Sequence, residues 1–138
     1  MATTFMSKSL VLATALWLSA CTHLGGNMTQ HKDILVNQDG KPTHLSVGQT
    51  VVVKLASNPS TGYGWDVKQA DNGVLQQVNH SFEQPPQTNP PMTGAGGTEV
   101  WAFKALKTGQ QTLHFAYTRS WEKDVAPIQQ VDYRIIVD

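Results

Sequence analysis

The chain has 138 residues, with 10 basic and 10 acidic side chains and a formal net charge of zero at pH 7. This length predicts one domain, and the balanced charge excludes a basic face for nucleic acid or a polybasic patch for anionic lipid. Cys21 is the single cysteine. No intramolecular disulfide can therefore form, and the core alone must hold the fold.

Residues 1–20 are typical of a secretory signal peptide rather than of folded structure. Lys8 supplies a positive charge, an apolar run follows over residues 10–18, and the small residues Ser19 and Ala20 precede the expected cleavage point. The run is too short for a transmembrane helix, which needs roughly 20 apolar residues. We therefore predict an exported protein.

The four residues Leu18, Ser19, Ala20 and Cys21 resemble the bacterial lipobox, in which the cysteine is acylated and becomes the new N-terminus. The alternative is an ordinary signal peptide with a cysteine at this position. Several acyl chains on Cys21 would anchor the protein firmly to a membrane. Thr22 follows, where Gram-negative lipoproteins kept at the inner membrane carry aspartate. We expect a lipid-anchored cell-envelope protein, in the outer membrane and facing the periplasm or the surface.

Residues 21–32 are polar and contain glycine, which predicts a flexible tether and places the folded domain at 33–138. Within the domain, short runs rich in β-branched and aromatic residues predict strands. These runs are 34–36, 51–55, 65–67, 74–78, 100–106, 112–117 and 131–137.

Apolar residues alternate with others in two of these runs. Leu113, Phe115 and Tyr117 fall on one face of their strand, and Trp101 and Phe103 do the same in theirs. A period of two with one apolar side predicts sheets that pack on each other and turn their other faces to water. Short strands separated by glycine-containing turns, without a helical pattern, predict an all-β, immunoglobulin-like β-sandwich of about seven to eight strands.

Three segments interrupt the strand pattern, at 56–64, 81–98 and 118–130. The second contains Pro85, Pro86, Pro90 and Pro91. Long irregular segments in a compact domain are uncommon and are often functional. We therefore expect activity in these three segments.

An enzyme is not indicated. Cys21 is assigned to the lipid, there is no G-x-S-x-G nucleophile motif, and the five histidines show no metal-ligand spacing. His114 falls opposite the apolar face of its strand, as expected for a solvated side chain. We expect no cofactor and no metal.

Residues 58–65 read Asn-Pro-Ser-Thr-Gly-Tyr-Gly-Trp and resemble the N-P-[ST]-T-G-[YF]-x-W motif of the chagasin family of cysteine peptidase inhibitors. Two further motifs of that family follow in order. Residues 94–97 match G-x-G-G before a strand, and residues 119–121, Arg-Ser-Trp, stand where the family usually has R-P-W. The resemblance covers roughly 33–137.

The resemblance implies a reversible, competitive inhibitor of papain-like cysteine peptidases that pushes three loops into the active-site cleft; we expect it to be a monomer. The implied contact residues are Asn58, Pro59, Ser60, Thr61, Gly62, Tyr63, Gly94, Ala95, Gly96, Gly97, Arg119 and Trp121. Thr61 and Trp121 are predicted to carry much of the affinity, since tryptophan is enriched at binding hot spots.

Each motif also has a purely structural interpretation. In the first motif Pro59 fixes its own φ and Gly62 permits a left-handed conformation. Such a stiff loop suits binding, but it also suits a turn that leads Trp65 into the core. The glycine motif could be a flexible entry to a strand. Trp121 could fold back over the end of the sandwich, with Arg119 paired to a nearby acid.

Ser120 replaces the usual proline of the third motif. A serine leaves that loop less preorganised, so we expect weaker or slower binding in the same mode. Two other functions are compatible with the sequence. One is an immunoglobulin-like envelope lipoprotein that binds another protein or a glycan through the same loops, and the other is a purely structural envelope lipoprotein.

Overall fold

A computed structural model describes residues 33–87, 90 and 93–138. The predictions for the signal peptide 1–20, for Cys21 and for the tether 21–32 lie outside the described residues. In the described part, no helix is long and apolar enough to cross a membrane.

Eight strands form two four-stranded sheets, which confirms the all-β, immunoglobulin-like sandwich. One sheet has the order β1-β3-β6-β5 and the other β2-β8-β7-β4. The strands are β1 Ile34–Leu35, β2 Thr43–Leu45, β3 Thr50–Ser57, β4 Tyr63–Gln69, β5 Leu75–Glu83, β6 Gly97–Ala105, β7 Gly109–Arg119 and β8 Gln129–Val137.

The core lies between the sheets and consists of the alternating apolar side chains. Trp101 and Phe103 of β6 point into it from one sheet, and Leu113 and Phe115 of β7 from the other. The ring of Phe115 makes edge contacts with both Trp101 and Phe103. Trp65 is also buried and donates its indole N–H to the carbonyl of Ala56 at 2.9 Å. The predicted core faces are confirmed.

β2 was not predicted. It has three residues, and it pairs in parallel with β8 from Thr43↔Ile135 to Leu45↔Val137. β1, which lies in the predicted run 34–36, has only two residues and pairs in parallel with β3. Such short strands carry too few residues for an alternating pattern to show, and their positions depend on long-range pairing.

The two ends of the sandwich carry different parts of the chain. The connections β3–β4, β5–β6 and β7–β8 lie together at one end, since Ser57 pairs with Gly97 and Tyr63 with Arg119. Asp33, just before β1, and Asp138, whose N–H donates to Leu45, lie at the other end.

Candidate functional site

The three predicted segments are brought together at one end of the sandwich, although each is shorter than expected. The strands extend further than the sequence predicted, and the connections reduce to 58–62, 84–96 and 120–128. Tyr63, Gly97 and Arg119 are therefore strand residues that border these loops. Of the 84–96 loop, the structure describes 84–87, 90 and 93–96.

The 58–62 loop is a single turn of 3₁₀ helix with a residue suited to each end. Asn58 caps the turn, and Pro59 occupies its first position with φ already fixed. Gly62 ends the turn with φ 80°. The Asn58 side-chain oxygen accepts from the Ser60 N–H at 3.2 Å and from the Ser60 hydroxyl at 2.6 Å. The loop is thus held by its own hydrogen bonds.

The Thr61 hydroxyl is also used inside the loop. It donates to the carbonyl of Asn58 at 2.7 Å, and the backbone N–H of Thr61 donates to the same carbonyl at 3.1 Å. Ser60 and Thr61 are among the contact residues that the resemblance implies, and their hydroxyl protons could serve a partner. In the free protein their protons instead stiffen the loop, and only acceptor lone pairs remain for other contacts.

The glycine motif contacts the 58–62 loop through Asn58. The Asn58 side-chain N–H donates to the carbonyl of Gly94 at 3.2 Å. A Cβ at Gly97 would overlap the Phe82 ring and lie 2.5 Å from the carbonyl oxygen of Glu83. Gly97 is therefore required by the packing of β6 on β5, whereas Gly94 lies beside the first loop.

Arg119 connects the end of β7 to the 58–62 loop. Its Nε–H donates to the carbonyl of Thr61 at 3.2 Å, and its guanidinium lies over the Tyr63 ring, 4.3 Å from the centroid. It also forms an ion pair with Glu122 at 3.2 Å. The acid partner suggested for Arg119 is present, and the same side chain also positions the first loop.

Trp121 does not cover the end of the sandwich. Its side chain lies against Gly62, where a Cβ would overlap the indole, and the residue is 64% exposed. The two loops border an open groove of about 790 Å³ whose lining includes Pro59 and Tyr63. An exposed tryptophan next to a stiff turn is an arrangement suited to insertion into a partner's cleft.

Two further exposed apolar residues of the 120–128 loop were not predicted. Val125 is 57% exposed and Ile128 is 61% exposed, and both follow Trp121 along the same loop. Asp124, directly before Val125, has φ 61°, in the left-handed region. Two apolar residues in a short loop close to Trp121 were the feature of the sequence that could have indicated this exposed surface. The prediction for this loop rested on the family motif alone.

The described residues contain no group of three histidine, cysteine, aspartate or glutamate side chains that could hold a metal ion. The pKa shifts lie outside the three loops. Burial raises the pKa of Tyr133 in β8, while hydrogen bonds from the side chain and backbone of Lys41 lower the pKa of Asp39. His114 is exposed and pairs with Asp132 at 2.8 Å, as expected for a solvated strand histidine.

Comparison with known proteins gives one consistent result. Residues 44–135 match the model of the chagasin family peptidase inhibitor I42. Amoebiasin-2 of Entamoeba histolytica is 30% identical over 101 residues, which cover 72% of this chain and 80% of amoebiasin-2. Chagasin of Trypanosoma cruzi is 30% identical over 87 residues, covering 60% of this chain and 76% of chagasin.

A crystal structure of a cysteine protease inhibitor from Entamoeba histolytica has the same fold. It superposes with a TM-score of 0.66 at 23% identity and covers 76% of this chain and 95% of that one.

Proposed function

Since the chain belongs to the chagasin family of peptidase inhibitors, we propose that it inhibits papain-like cysteine peptidases reversibly and competitively. The family consists of inhibitors, and the protein is not an enzyme. The 58–62 loop enters the active-site cleft near the catalytic cysteine and histidine of the peptidase. The 84–96 and 120–128 loops contact the surface on either side.

The observation that carries this proposal is the internal bonding of the 58–62 loop beside an exposed tryptophan. Ser60 and Thr61 each donate a hydrogen bond to Asn58, so the loop loses little conformational entropy when it binds. Trp121 offers a large apolar surface that becomes buried only when a partner covers it. Together these features support a rigid insertion element with an adjacent apolar contact.

The absence of unpaired charge among the described residues at the centre of the site fits an apolar cleft as the target. The charge of Arg119 is offset by Glu122, and its guanidinium also lies over the Tyr63 ring. The side chains of the 58–62 loop are all uncharged. Binding would therefore depend on shape and apolar burial, and we expect the affinity to change little between low and moderate salt.

The test is a titration of residues 22–138 against papain and a cathepsin L-like peptidase, following cleavage of a fluorogenic peptide. We expect competitive inhibition that weakens by about tenfold in Thr61→Ala, because the loop loses an internal hydrogen bond. Thr61→Ser keeps the hydroxyl and serves as the matched control. A folded domain that leaves several papain-like peptidases fully active would overturn the proposal.

We further propose that the protein is exported and held in the bacterial cell envelope by lipid on Cys21. The support is the lipobox-like sequence at 18–21 and the apolar run before it. Expression in a Gram-negative host with labelled palmitate tests this: the full chain should carry label and fractionate with membranes. Cys21→Ser should carry none. Unlabelled wild-type protein in the soluble fraction would contradict the anchor.

A further inference from the structure

Glu99 of β6 is a carboxylate inside the sandwich, with an exposed fraction of only 6%. It lies opposite Leu55 of β3 and Phe82 of β5 in the sheet register. A buried carboxylate destabilises a fold unless hydrogen bonds replace the lost water. Its presence among apolar neighbours therefore requires specific partners.

Those partners are the two strand ends that carry the 58–62 loop. One carboxylate oxygen of Glu99 accepts from the Ser57 hydroxyl at 2.6 Å and from the backbone N–H of Trp65 at 3.2 Å. Ser57 is the last residue of β3, and Trp65 is the third residue of β4. A single oxygen thus joins the strand that enters the loop to the strand that leaves it.

This bond crosses between the two sheets. β3 and β6 belong to one sheet and β4 to the other, so no backbone ladder connects β3 to β4. β4 is an edge strand, and edge strands leave part of their backbone donors without ladder partners. Glu99 satisfies one of these donors at Trp65 and holds the edge against the opposite sheet.

The other carboxylate oxygen is also fixed. It lies 3.0 Å from Nε2 of His80, whose ring stacks on Trp101 with centroids 3.6 Å apart. A second bond between the sheets lies close by, from the backbone N–H of Asn58 to the Tyr117 hydroxyl at 2.8 Å. Partners on β3, β4 and β5 therefore hold the Glu99 carboxylate in a single orientation.

We propose that Glu99 is a positioning residue for inhibition, which fixes the spacing of the two strand ends so that the 58–62 loop has its binding conformation before a peptidase arrives. The proposal rests on the proposed function of that loop. Glu99 itself does not contact the peptidase, because it lies beneath the loop. Its effect on affinity comes through preorganisation.

The experiment compares Glu99→Gln with Glu99→Met. Glutamine keeps an acceptor oxygen for Ser57 and Trp65, whereas methionine keeps the length and the burial without an acceptor. We expect Glu99→Gln to inhibit within about threefold of the wild type and Glu99→Met to inhibit about tenfold or more weakly. Backbone hydrogen exchange at Gly62 and Tyr63 should accelerate in Glu99→Met and stay near wild type in Glu99→Gln.

Ser57→Ala removes one donor from the same oxygen and provides a milder variant if Glu99→Met fails to fold. It should accelerate exchange at the same two amides. A folded Glu99→Met, or else Ser57→Ala, with wild-type inhibition and wild-type loop exchange would overturn the proposal. If the wild type itself does not inhibit, the proposed function fails, and the exchange rates alone decide whether Glu99 positions the loop.

Discussion

The indole of Trp121 lies directly on Gly62, so the 120–128 loop and the 58–62 loop are in contact before any partner binds. Gly62 has φ 80°, and a Cβ at this position would overlap the indole. Glycine is thus required for two reasons, the left-handed backbone and the close approach of the ring.

Gly62→Ala should therefore disturb both loops. We expect the free energy of unfolding to fall by about 1–2 kcal/mol, and the inhibition constant to rise at least about tenfold because Trp121 is displaced. Gly40→Ala is the matched control, since Gly40 has φ 77° and nothing within 4 Å of its would-be Cβ. It should lose stability but inhibit normally. Equal inhibition by the two variants would contradict a role for the contact.

Trp121→Ala should lose binding while keeping the fold. Because the side chain is exposed, we expect the free energy of unfolding to change by less than about 0.5 kcal/mol. The loss of a central aromatic contact should raise the inhibition constant by about 30-fold, equivalent to about 2 kcal/mol. Leu106→Ala removes another exposed apolar side chain, at the opposite end, and should inhibit like wild type. A folded Trp121→Ala with an unchanged constant would exclude this role.

Val125 and Ile128 should extend the apolar contact made by Trp121. Replacing both by serine should weaken binding by about fivefold, mainly through faster dissociation. Surface plasmon resonance with an immobilised peptidase separates the two rate constants. Val47→Ser, in an exposed turn at the far end, is the control. Dissociation at the wild-type rate in the double variant would show that these side chains stay in solvent.

Asn58 both caps the 58–62 turn and donates to Gly94, and two substitutions separate these roles. Asn58→Asp keeps the side-chain oxygen that caps the turn but loses the donor to Gly94, whereas Asn58→Ala loses both. Alanine should lower the free energy of unfolding by about 1 kcal/mol, as for other helix caps. Aspartate should keep most of that stability and weaken inhibition, because the 84–96 loop is released. Urea unfolding and inhibition assays on both variants give the comparison, and wild-type inhibition by Asn58→Asp would show that the link to Gly94 is dispensable.

Tyr133 should make the fold sensitive to alkali. Burial raises the pKa of its phenol in the folded state, so above the ordinary tyrosine pKa the unfolded chain releases a proton that the folded chain keeps. The free energy of unfolding should therefore fall as pH rises through that range. Urea unfolding at two values on either side of about pH 10 should show a smaller loss in Tyr133→Phe than in wild type. An equal loss in both proteins would assign the effect to other groups.

The sequence predicted the sheets because their inner faces alternate. Trp101, Phe103 and Phe115 were assigned to buried faces by period alone, and the structure confirms them. The 58–62 motif could likewise be located, since Pro59 fixes its own φ and Gly62 permits the left-handed backbone that ends the turn. Local chemistry is sufficient for features of this kind.

Glu99 and the limits of the loops could not be found in this way. A carboxylate in a strand normally faces water, and only the approach of β4 from the other sheet gives Glu99 its partners. The extension of β3, β5 and β7 likewise depends on cross-strand neighbours such as Ser57↔Gly97 and Tyr63↔Arg119. These features arise from contacts between residues far apart in the sequence.

The positions of Asp33 and Asp138 have a practical consequence for how the domain can be presented. Asp33 and Asp138 both lie at the end of the sandwich away from the three loops. A bead or a fused partner attached beyond either residue is therefore joined to the domain at the end opposite to the loops, which stay accessible. An immobilised domain should therefore capture its peptidase as well as the free domain does.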